Sequence, residues 1–282
     1  MKYKIYQVFY QEEQKKFLNP EFTPFNNSSN KRPDLMEYYI FNVGYKKAIS
    51  NRLSHWGFFS WKWEGKCKIK PQQFIDFIDK NPNQDVYVMN WAPYVESIEL
   101  NSWIHGEYWH SGIIEISNKC LQKMNYQIPP VESFIMDRKT YCYSSFFVGS
   151  KKFWSDYLVF LKRFKNIMDN DIELKSFVEQ KVSYSEHKNY SFFPFLVERF
   201  FSTFLLINEK KYSILNYPYD FSIYKKYIGD NYKEIEKCSD LKVKILESSK
   251  EGDLYMNQKY LKEWEIQKQK IIFPITIPDY ER

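Results

Sequence analysis

The chain has 282 residues, of which 44% are hydrophobic and 27% charged, a balance typical of a globular protein rather than a disordered one. The net charge of +6 is mild, so solubility explains it most simply, although an anionic substrate, an anionic membrane surface or nucleic acid could each exploit it. With 8 glycines and neither a G-x-G-x-x-G nor a G-x-x-x-x-G-K-[ST] pattern, the sequence excludes the standard dinucleotide and P-loop sites.

The cysteine spacing and the hydropathy point to the cytoplasm. The four cysteines are far apart and form no C-x-x-C pair, which disfavours structural zinc and suits a reducing compartment. The N-terminus lacks a signal-peptide core, and no run approaches the ~18 apolar residues of a membrane span. We therefore expect a cytoplasmic protein.

Apolar periodicity predicts alternating strands and helices. In chain order, these begin with a strand at 3–10, a polar loop at 26–33, a helix at 35–50, a strand at 55–63, a helix at 72–80 and a strand at 85–90. Helices follow at 94–104 and 113–124, strands at 133–137 and 141–148, and helices at 151–168 and 194–207. The alternation predicts an α/β fold with a mostly parallel, Rossmann-like sheet flanked by helices. We expect a catalytic domain at 1–210 and, packed on it, a helical or irregular C-terminal extension at 211–282.

Ligands of parallel sheets bind outside the carboxyl ends of the strands. That rule directs attention to the residues that follow Tyr10, Ser60, Asn90 and Asp137. The segment from Trp56 to Lys62 combines one glycine, which allows close backbone approach, with large rings and a lysine for a phosphate. It is either a ligand site at Ser60, Trp61 and Lys62 or an aromatic core strand with a lysine at its surface.

The densest group of acid–base residues lies between two glycines, at Gly106 and Gly112. His105, Glu107 and His110 fall within six residues, but their spacing matches no zinc motif. Glu107 or His110 could act as a general base for a sugar hydroxyl. The alternative is a polar connection between two helices.

Two further charged groups are candidates. Asp137, Arg138 and Lys139 follow a predicted strand, where an acid beside two cations could orient a hydroxyl and neutralise a leaving diphosphate; an ordinary charged turn is equally consistent. Glu198 and Arg199 interrupt an apolar helix, and we expect them to have a structural role.

The order of several segments resembles a group of bacterial glycosyltransferases from capsule and lipooligosaccharide loci, of the GT-A type. The matching residues span about 3–207 and are Ile5-Tyr6-Gln7-Val8-Phe9-Tyr10, Pro33, Glu37-Tyr38, Gly57-Phe58-Phe59-Ser60-Trp61-Lys62, Asp85-Val86-Tyr87, Gly106-Glu107, Trp109-His110, Gly112, Met136-Asp137-Arg138, Phe147-Val148-Gly149, Phe153-Trp154, Pro194-Phe195 and Glu198-Arg199-Phe200-Phe201. The resemblance implies a GT-A-like fold, a nucleotide-sugar donor and a glycan or lipid-linked acceptor.

One departure from the resemblance concerns the metal. GT-A enzymes usually carry a D-x-D after a hydrophobic strand to hold a divalent cation, whereas the strand at 85–90 ends in Asn90-Trp91. Mn²⁺ or Mg²⁺ therefore stays an open cofactor with no ligands assigned, and lysine and arginine are the alternative partners of the diphosphate. The D-x-D at Asp169-Asn170-Asp171 follows a helix, and we interpret it as a helix-end loop.

These observations favour transfer of a sugar from a nucleotide-sugar donor to a surface glycan. The catalytic candidates are Glu107, His110 and Asp137. The donor-binding candidates are Tyr10, Lys31, Arg32, Ser60, Trp61, Lys62, Asn90, Arg138 and Lys139. The acceptor-binding candidates are Trp91, His105 and Trp109. We expect no nucleic-acid partner, and the basic, aromatic C-terminal segment could touch the inner face of a membrane.

Two other classes of function stay open. A non-catalytic glycan-binding module would use the aromatic residues alone, without nucleotide affinity. A metal-dependent nuclease would use Asp34 with Glu64 and Lys66, which imitate a P-D…E-x-K site.

Overall fold

The computed structural model describes residues 1–185, 188–218 and 220–272, with the backbone alone described at 181–185, 188–189, 221 and 226–227. Residues 273–282 of the expected C-terminal extension lie outside the described residues. The strands are β1 (Tyr3–Phe9), β2 (Thr23–Asn26), β3 (His55–Ser60), β4 (Val86–Val88), β5 (Phe147–Ser150), β6 (Lys181–Ser185), β7 (Lys188–Ser191) and β8 (Ile214–Asn216). The helices are α1 (Met36–Ser50), α2 (Trp63–Cys67), α3 (Pro71–Lys80), α4 (Pro93–Ile98), α5 (Ser102–Trp109), α6 (Ile113–Lys123), α7 (Lys151–Asn170), α8 (Ile172–Val178), α9 (Phe193–Ile207), α10 (Lys225–Ile228), α11 (Tyr232–Glu251) and α12 (Leu254–Lys268).

The centre of the molecule is a six-stranded sheet in the order β2-β1-β3-β5-β4-β8. All of its strands run in one direction except β5, which is antiparallel to both of its neighbours. The predicted α/β class, with a mostly parallel sheet flanked by helices, is confirmed. Because β5 runs backwards, its amino end lies at the edge where the other strands have their carboxyl ends.

Two predicted strands are wrong. Residues 133–137 form no strand, and the one predicted at 141–148 is replaced by the shorter β5. The side-chain amide of Asn101 donates to the carbonyls of Glu132 and Phe134, at 3.2 and 2.8 Å, and thus takes the place of a neighbouring strand. The apolar side chains of this irregular segment, Phe134 and Met136 among them, are buried in the core all the same. Alternating hydrophobicity here reflects burial without a β-ladder.

Aromatic rings fill the space between the sheet and its helices. The indole of Trp154 on α7 stacks on Trp56 of β3, and its Nε1 donates to the Trp56 carbonyl at 2.8 Å. Phe147 of β5 stacks on Phe201 of α9 with ring centroids 4.1 Å apart. At Gly57 a Cβ would stand 2.3 Å from the Phe147 carbonyl oxygen, so only glycine fits at this position between β3 and β5. None of the described helices is long and apolar enough to cross a membrane.

The C-terminal helices α11 and α12 are fastened to the end of α4. Lys242 of α11 is 1% exposed, and its Nζ donates to the carbonyls of Glu96 and Glu99 at 2.5 and 2.7 Å. The same ammonium pairs with Glu96 Oε1 at 3.1 Å. Trp264 of α12 adds a hydrogen bond from Nε1 to the Ser97 carbonyl at 2.9 Å. The cation thus satisfies carbonyls that any helix leaves unpaired at its C-terminus.

We expect Lys242→Met to lower the free energy of unfolding by about 3–5 kcal/mol, because it leaves the Glu96 carboxylate buried without its cation. Urea unfolding followed by tryptophan fluorescence measures this. Lys250→Met, at an exposed position of the same helix, is the matched control and should stay within about 0.5 kcal/mol of wild type. Equal stability of the two variants would contradict the role given to Lys242.

Candidate functional site

The order of the strands creates a topological switch point at the carboxyl edge of the sheet. β1 pairs with β2 on one side and with β3 on the other, so the chain leaves these strand ends in opposite directions. Such a switch point is where open α/β sheets bind ligands. Tyr10 follows β1 there and Trp61 follows β3, with Trp61 packed against Phe17 at 5.2 Å between ring centroids.

The hydroxyl of Ser144 joins three parts of the chain at the same edge. Lys66 of α2 donates from Nζ to Ser144 Oγ at 2.7 Å, and Trp91, just after β4, donates from Nε1 to the same oxygen at 3.0 Å. The Ser144 backbone amide donates to Glu198 Oε1 of α9 at 2.6 Å. Lys66 Nζ also lies 4.9 Å from the centre of the Trp91 ring. We call these four residues the Ser144 network.

A second carboxylate, Glu37 in the first turn of α1, lies in the electrostatic field of the network. Burial, and then repulsion from Glu198, raise the pKa of Glu37 to about 7, while Lys66 opposes the shift. Burial lowers the pKa of Lys66, and attraction by Glu198 and Glu37 opposes that change. Glu37 can therefore take up or release a proton near neutral pH, as general acid–base catalysis requires.

A chain of hydrogen bonds and ring contacts leads from the network to the protein surface. Tyr143 lies 6.3 Å from Trp91 between ring centroids, and its hydroxyl is 2.5 Å from His105 Nδ1. Trp109 Nε1 donates to His105 Nε2 at 3.3 Å. The pKa of His105 is lowered to about 3 by burial and then by Arg199, so its imidazole is neutral at pH 7. Because Nε2 accepts, the proton of the neutral ring lies on Nδ1, which donates it to the Tyr143 hydroxyl oxygen.

The structure links the three predicted acceptor residues, Trp91, His105 and Trp109, through this chain. Trp109 is 68% exposed, whereas Trp91 is partly buried beside Lys66. With the buried Tyr143, they form a continuous chain of side chains from the surface to the Ser144 network. The exposed Tyr108 adjoins the outer end of this chain of side chains.

Two predicted catalytic residues have structural partners instead. The Glu107 carboxylate accepts from the backbone amides of Gly112 and Ile114 at 2.6 and 3.0 Å and so caps the start of α6. His110 is buried with its ring stacked 3.9 Å from that of Phe195. Burial lowers the pKa of His110 to about 4, which keeps the imidazole neutral. These contacts match the helix-connection interpretation.

Asp137, Arg138 and Lys139 form a turn next to the C-terminal helices. Asp137 Oδ1 accepts from the backbone amides of Lys139 and Thr140, both at 3.0 Å, in an Asx turn. Arg138 donates from Nη2 to Ser239 Oγ of α11 at 2.8 Å. These residues were predicted to follow a strand at 133–137. That prediction is wrong, because no strand forms there.

The remaining predicted donor residues have local partners or are exposed. Lys31 and Arg32 are exposed, with Arg32 paired to Asp34 at 2.7 Å. Ser60 Oγ accepts from the Lys62 amide at 3.2 Å, and the exposed Lys62 ammonium lies 5.1 Å from the Trp61 ring centre. Asn90 is buried directly after β4, where its Oδ1 accepts from the Ala92 amide at 3.1 Å.

A cleft of about 790 Å³ lies on the surface of the protein. It is lined by Glu64, Lys68, Ile69, Lys70, Gln73, Ser222, Ile223 and Lys225. Its carboxylate, Glu64, is paired with Lys70 at 3.0 Å.

No group of three or more metal-ligating side chains occurs within residues 1–185, 188–218 and 220–272. Asp169 pairs with Lys165, and Asp171 caps α8 through the Leu174 amide at 3.0 Å and pairs with Lys123. The D-x-D at 169–171 therefore lies in a junction between two helices. This agrees with our interpretation of it as a helix-end loop.

Sequence reasoning missed most of the Ser144 network. In the sequence, Lys66 belongs only to a nuclease-like pattern and Glu198 indicates a structural role. No pattern assigns a function to Glu37 or Ser144. The one available signal was a charged residue inside an apolar helix at Glu198. No protein-family model, curated protein or solved structure matches this chain.

The raised pKa of Glu37 predicts a pH-dependent stability. A carboxyl whose pKa is higher in the folded than in the unfolded state stabilises the fold at low pH, and this is lost as pH rises through about 7. We therefore expect Glu37→Gln, which mimics the protonated form, to gain roughly 1–3 kcal/mol relative to wild type between pH 5 and 8.5.

Urea unfolding at both pH values measures the effect, with the exposed Glu209→Gln as the control for loss of a charge. A constant difference between Glu37→Gln and wild type across this range would show that Glu37 titrates as an ordinary surface carboxylate.

Proposed function

We propose that the protein is a GT-A-like glycosyltransferase that moves a sugar from a nucleotide-sugar donor to a bacterial capsule or lipooligosaccharide acceptor. The observation that supports this most is the Ser144 network with Glu37. It brings one lysine and two carboxylates together at the carboxyl edge of a mostly parallel sheet. Together they supply a base and a cation, which glycosyl transfer needs at one place.

Each charged group has a distinct role in this proposal. Glu37 removes the proton from the acceptor hydroxyl, whose oxygen bonds to the anomeric carbon as the bond to the donor diphosphate breaks. Lys66 offsets the negative charge that the leaving diphosphate gains. Glu198 accepts from the Ser144 amide and keeps the Lys66 partner in place. This assigns to Glu37 and Lys66 the roles that the sequence suggested for Glu107, His110, Asp137 and Arg138.

The two substrates approach from different sides. The nucleotide binds at the switch point between the ends of β1 and β3, near Tyr10, Trp61 and Lys62. The acceptor glycan stacks on the exposed Trp109 and reaches toward Trp91, since aromatic faces stack on sugar rings. Lys66 supplies a fixed positive charge, and any additional Mn²⁺ or Mg²⁺ would have to arrive with the donor diphosphate.

The test combines binding with turnover. A thermal-shift screen of UDP-, GDP-, CMP- and dTDP-sugars, with and without Mn²⁺ or Mg²⁺, should find one class that stabilises the protein, by about 2.7 kcal/mol at 100 times its Kd. Lys66→Met should lose that stabilisation, whereas Lys80→Met, at an exposed position on α3, should keep it. Glu37→Gln should retain donor binding and release nucleotide about 10²–10⁴-fold more slowly.

The same screen separates the transferase from its rivals. A non-catalytic glycan-binding module is favoured by the exposure of Tyr108 and Trp109. It predicts affinity for glycans without any stabilisation by nucleotide sugars, and that result would sink the transferase proposal. Full sugar-nucleotide activity in Glu64→Gln would close the nuclease alternative.

We also propose that the protein works in the cytoplasm and touches the inner face of the membrane through the first turn of α12. Leu254 and Tyr255 are each 77% exposed there. Because α11 and α12 are fastened to α4, truncation would disturb the fold, and substitution is the cleaner test.

Leu254→Ser with Tyr255→Ser should reduce co-sedimentation with anionic phosphatidylglycerol vesicles at least several-fold, because it removes the apolar side chains that enter the interface. Ile172→Ser on α8, where the side chain is 88% exposed, is the control and should bind as wild type does. Unchanged vesicle binding of the double variant would remove the membrane contact from the proposal.

A further inference from the structure

Asn90 and Ser145 lie just past the end of the β4–β5 ladder, at the edge of the sheet that carries the Ser144 network. In the antiparallel pairing of β4 and β5, Val88 stands opposite Phe147, and the Met89 amide donates to the Phe146 carbonyl at 2.8 Å. Asn90 and Ser145 are the next residues of the two segments, beyond this last hydrogen bond. The two residues are 3% and 1% exposed.

Both side chains carry a buried polar atom without a hydrogen-bond partner in the part of the chain that the structure describes. These atoms are Asn90 Nδ2 and Ser145 Oγ. The Asn90 amide cannot gain by flipping, because its Oδ1 already accepts from the Ala92 amide at 3.1 Å. Buried polar groups in native proteins are almost always satisfied, so an unsatisfied pair calls for a missing partner.

The backbone beside this pair is held in an unfavourable conformation. Ser144 and Ser145 have φ angles of 58° and 49°, in the left-handed region that residues other than glycine and asparagine seldom adopt. Strain of this kind persists where the surroundings fix it, commonly at functional sites. Here Lys66, Trp91 and Glu198 hold Ser144, and Ser145 follows next in the chain.

We propose that Asn90 Nδ2 and Ser145 Oγ bind hydroxyl groups of the donor sugar, a proposal that rests on the proposed transferase function. Both groups are uncharged, and between them they offer a donor and a hydroxyl that donates or accepts, which suits a sugar hydroxyl. A phosphate would instead be drawn to Lys66. Ser145 adjoins Ser144, so a sugar bound here has its ring beside Glu37 and Lys66. The pair then selects the sugar, while the switch point at Tyr10 and Trp61 holds the nucleotide.

The test compares two ligands of one nucleotide class, the nucleotide sugar that stabilises the protein and the matching nucleoside diphosphate without sugar. Titration calorimetry on wild type, Ser145→Ala and Asn90→Asp measures both affinities. We expect each variant to bind the nucleotide sugar about tenfold more weakly and the nucleoside diphosphate as wild type does. Ser145→Ala without ligand should melt no lower than wild type, because its hydroxyl has no partner to lose.

Ser117→Ala is the matched control, since Ser117 is equally buried but its hydroxyl donates to the Ile114 carbonyl at 2.8 Å. Ser117→Ala should melt at a lower temperature than wild type and bind each ligand with the wild-type affinity. If wild type binds both ligands and the variants weaken neither, or weaken both alike, the sugar-binding role is overturned and a buried water satisfies the pair. If wild type binds neither ligand, the transferase proposal fails and this inference fails with it.

Discussion

The hydrogen bonds that converge on Ser144 determine how the carboxyl edge of the sheet is built. A partly buried ammonium requires partners, and Lys66 finds them in the Ser144 hydroxyl and in the field of Glu198 and Glu37. That meeting is possible only because β5 runs against its neighbours. The antiparallel strand brings the segment before Phe147 to the edge where β3 and β4 end. A fully parallel sheet would have left Ser144 at the opposite edge.

The charges at this edge have unequal environments. Glu198 accepts from a backbone amide, whereas Glu37 is desolvated beside a like charge and has its pKa raised to about 7. Two carboxylates with one lysine can thus carry a proton and a fixed charge at the same time. The C-terminal helices are fastened to α4, the helix that follows Trp91, through Lys242 and Trp264.

The sequence carried enough information for the fold class and for part of the site. Long amphipathic segments such as α7 and α9 could be recognised from their periodicity, and the rule about strand ends pointed to Tyr10, Asn90 and Trp91. Hydrophobic periodicity failed at residues 133–137, where the Asn101 side chain replaces a β-ladder. The strand wrongly predicted there directed attention to Asp137. Lys66 and Ser144 are 78 positions apart and belong to no local pattern, so only the direction of β5 brings them together.

A crystal structure of the protein with the nucleotide sugar that stabilises it most tests the central claim directly. The Glu37→Gln variant would prevent turnover in the crystal. We expect the diphosphate within hydrogen-bonding distance of Lys66 Nζ, the sugar beside residue 37, and the nucleotide between the ends of β1 and β3. Density for the ligand in the cleft of Lys68, Lys70 and Lys225, with the Ser144 network unchanged, would contradict it.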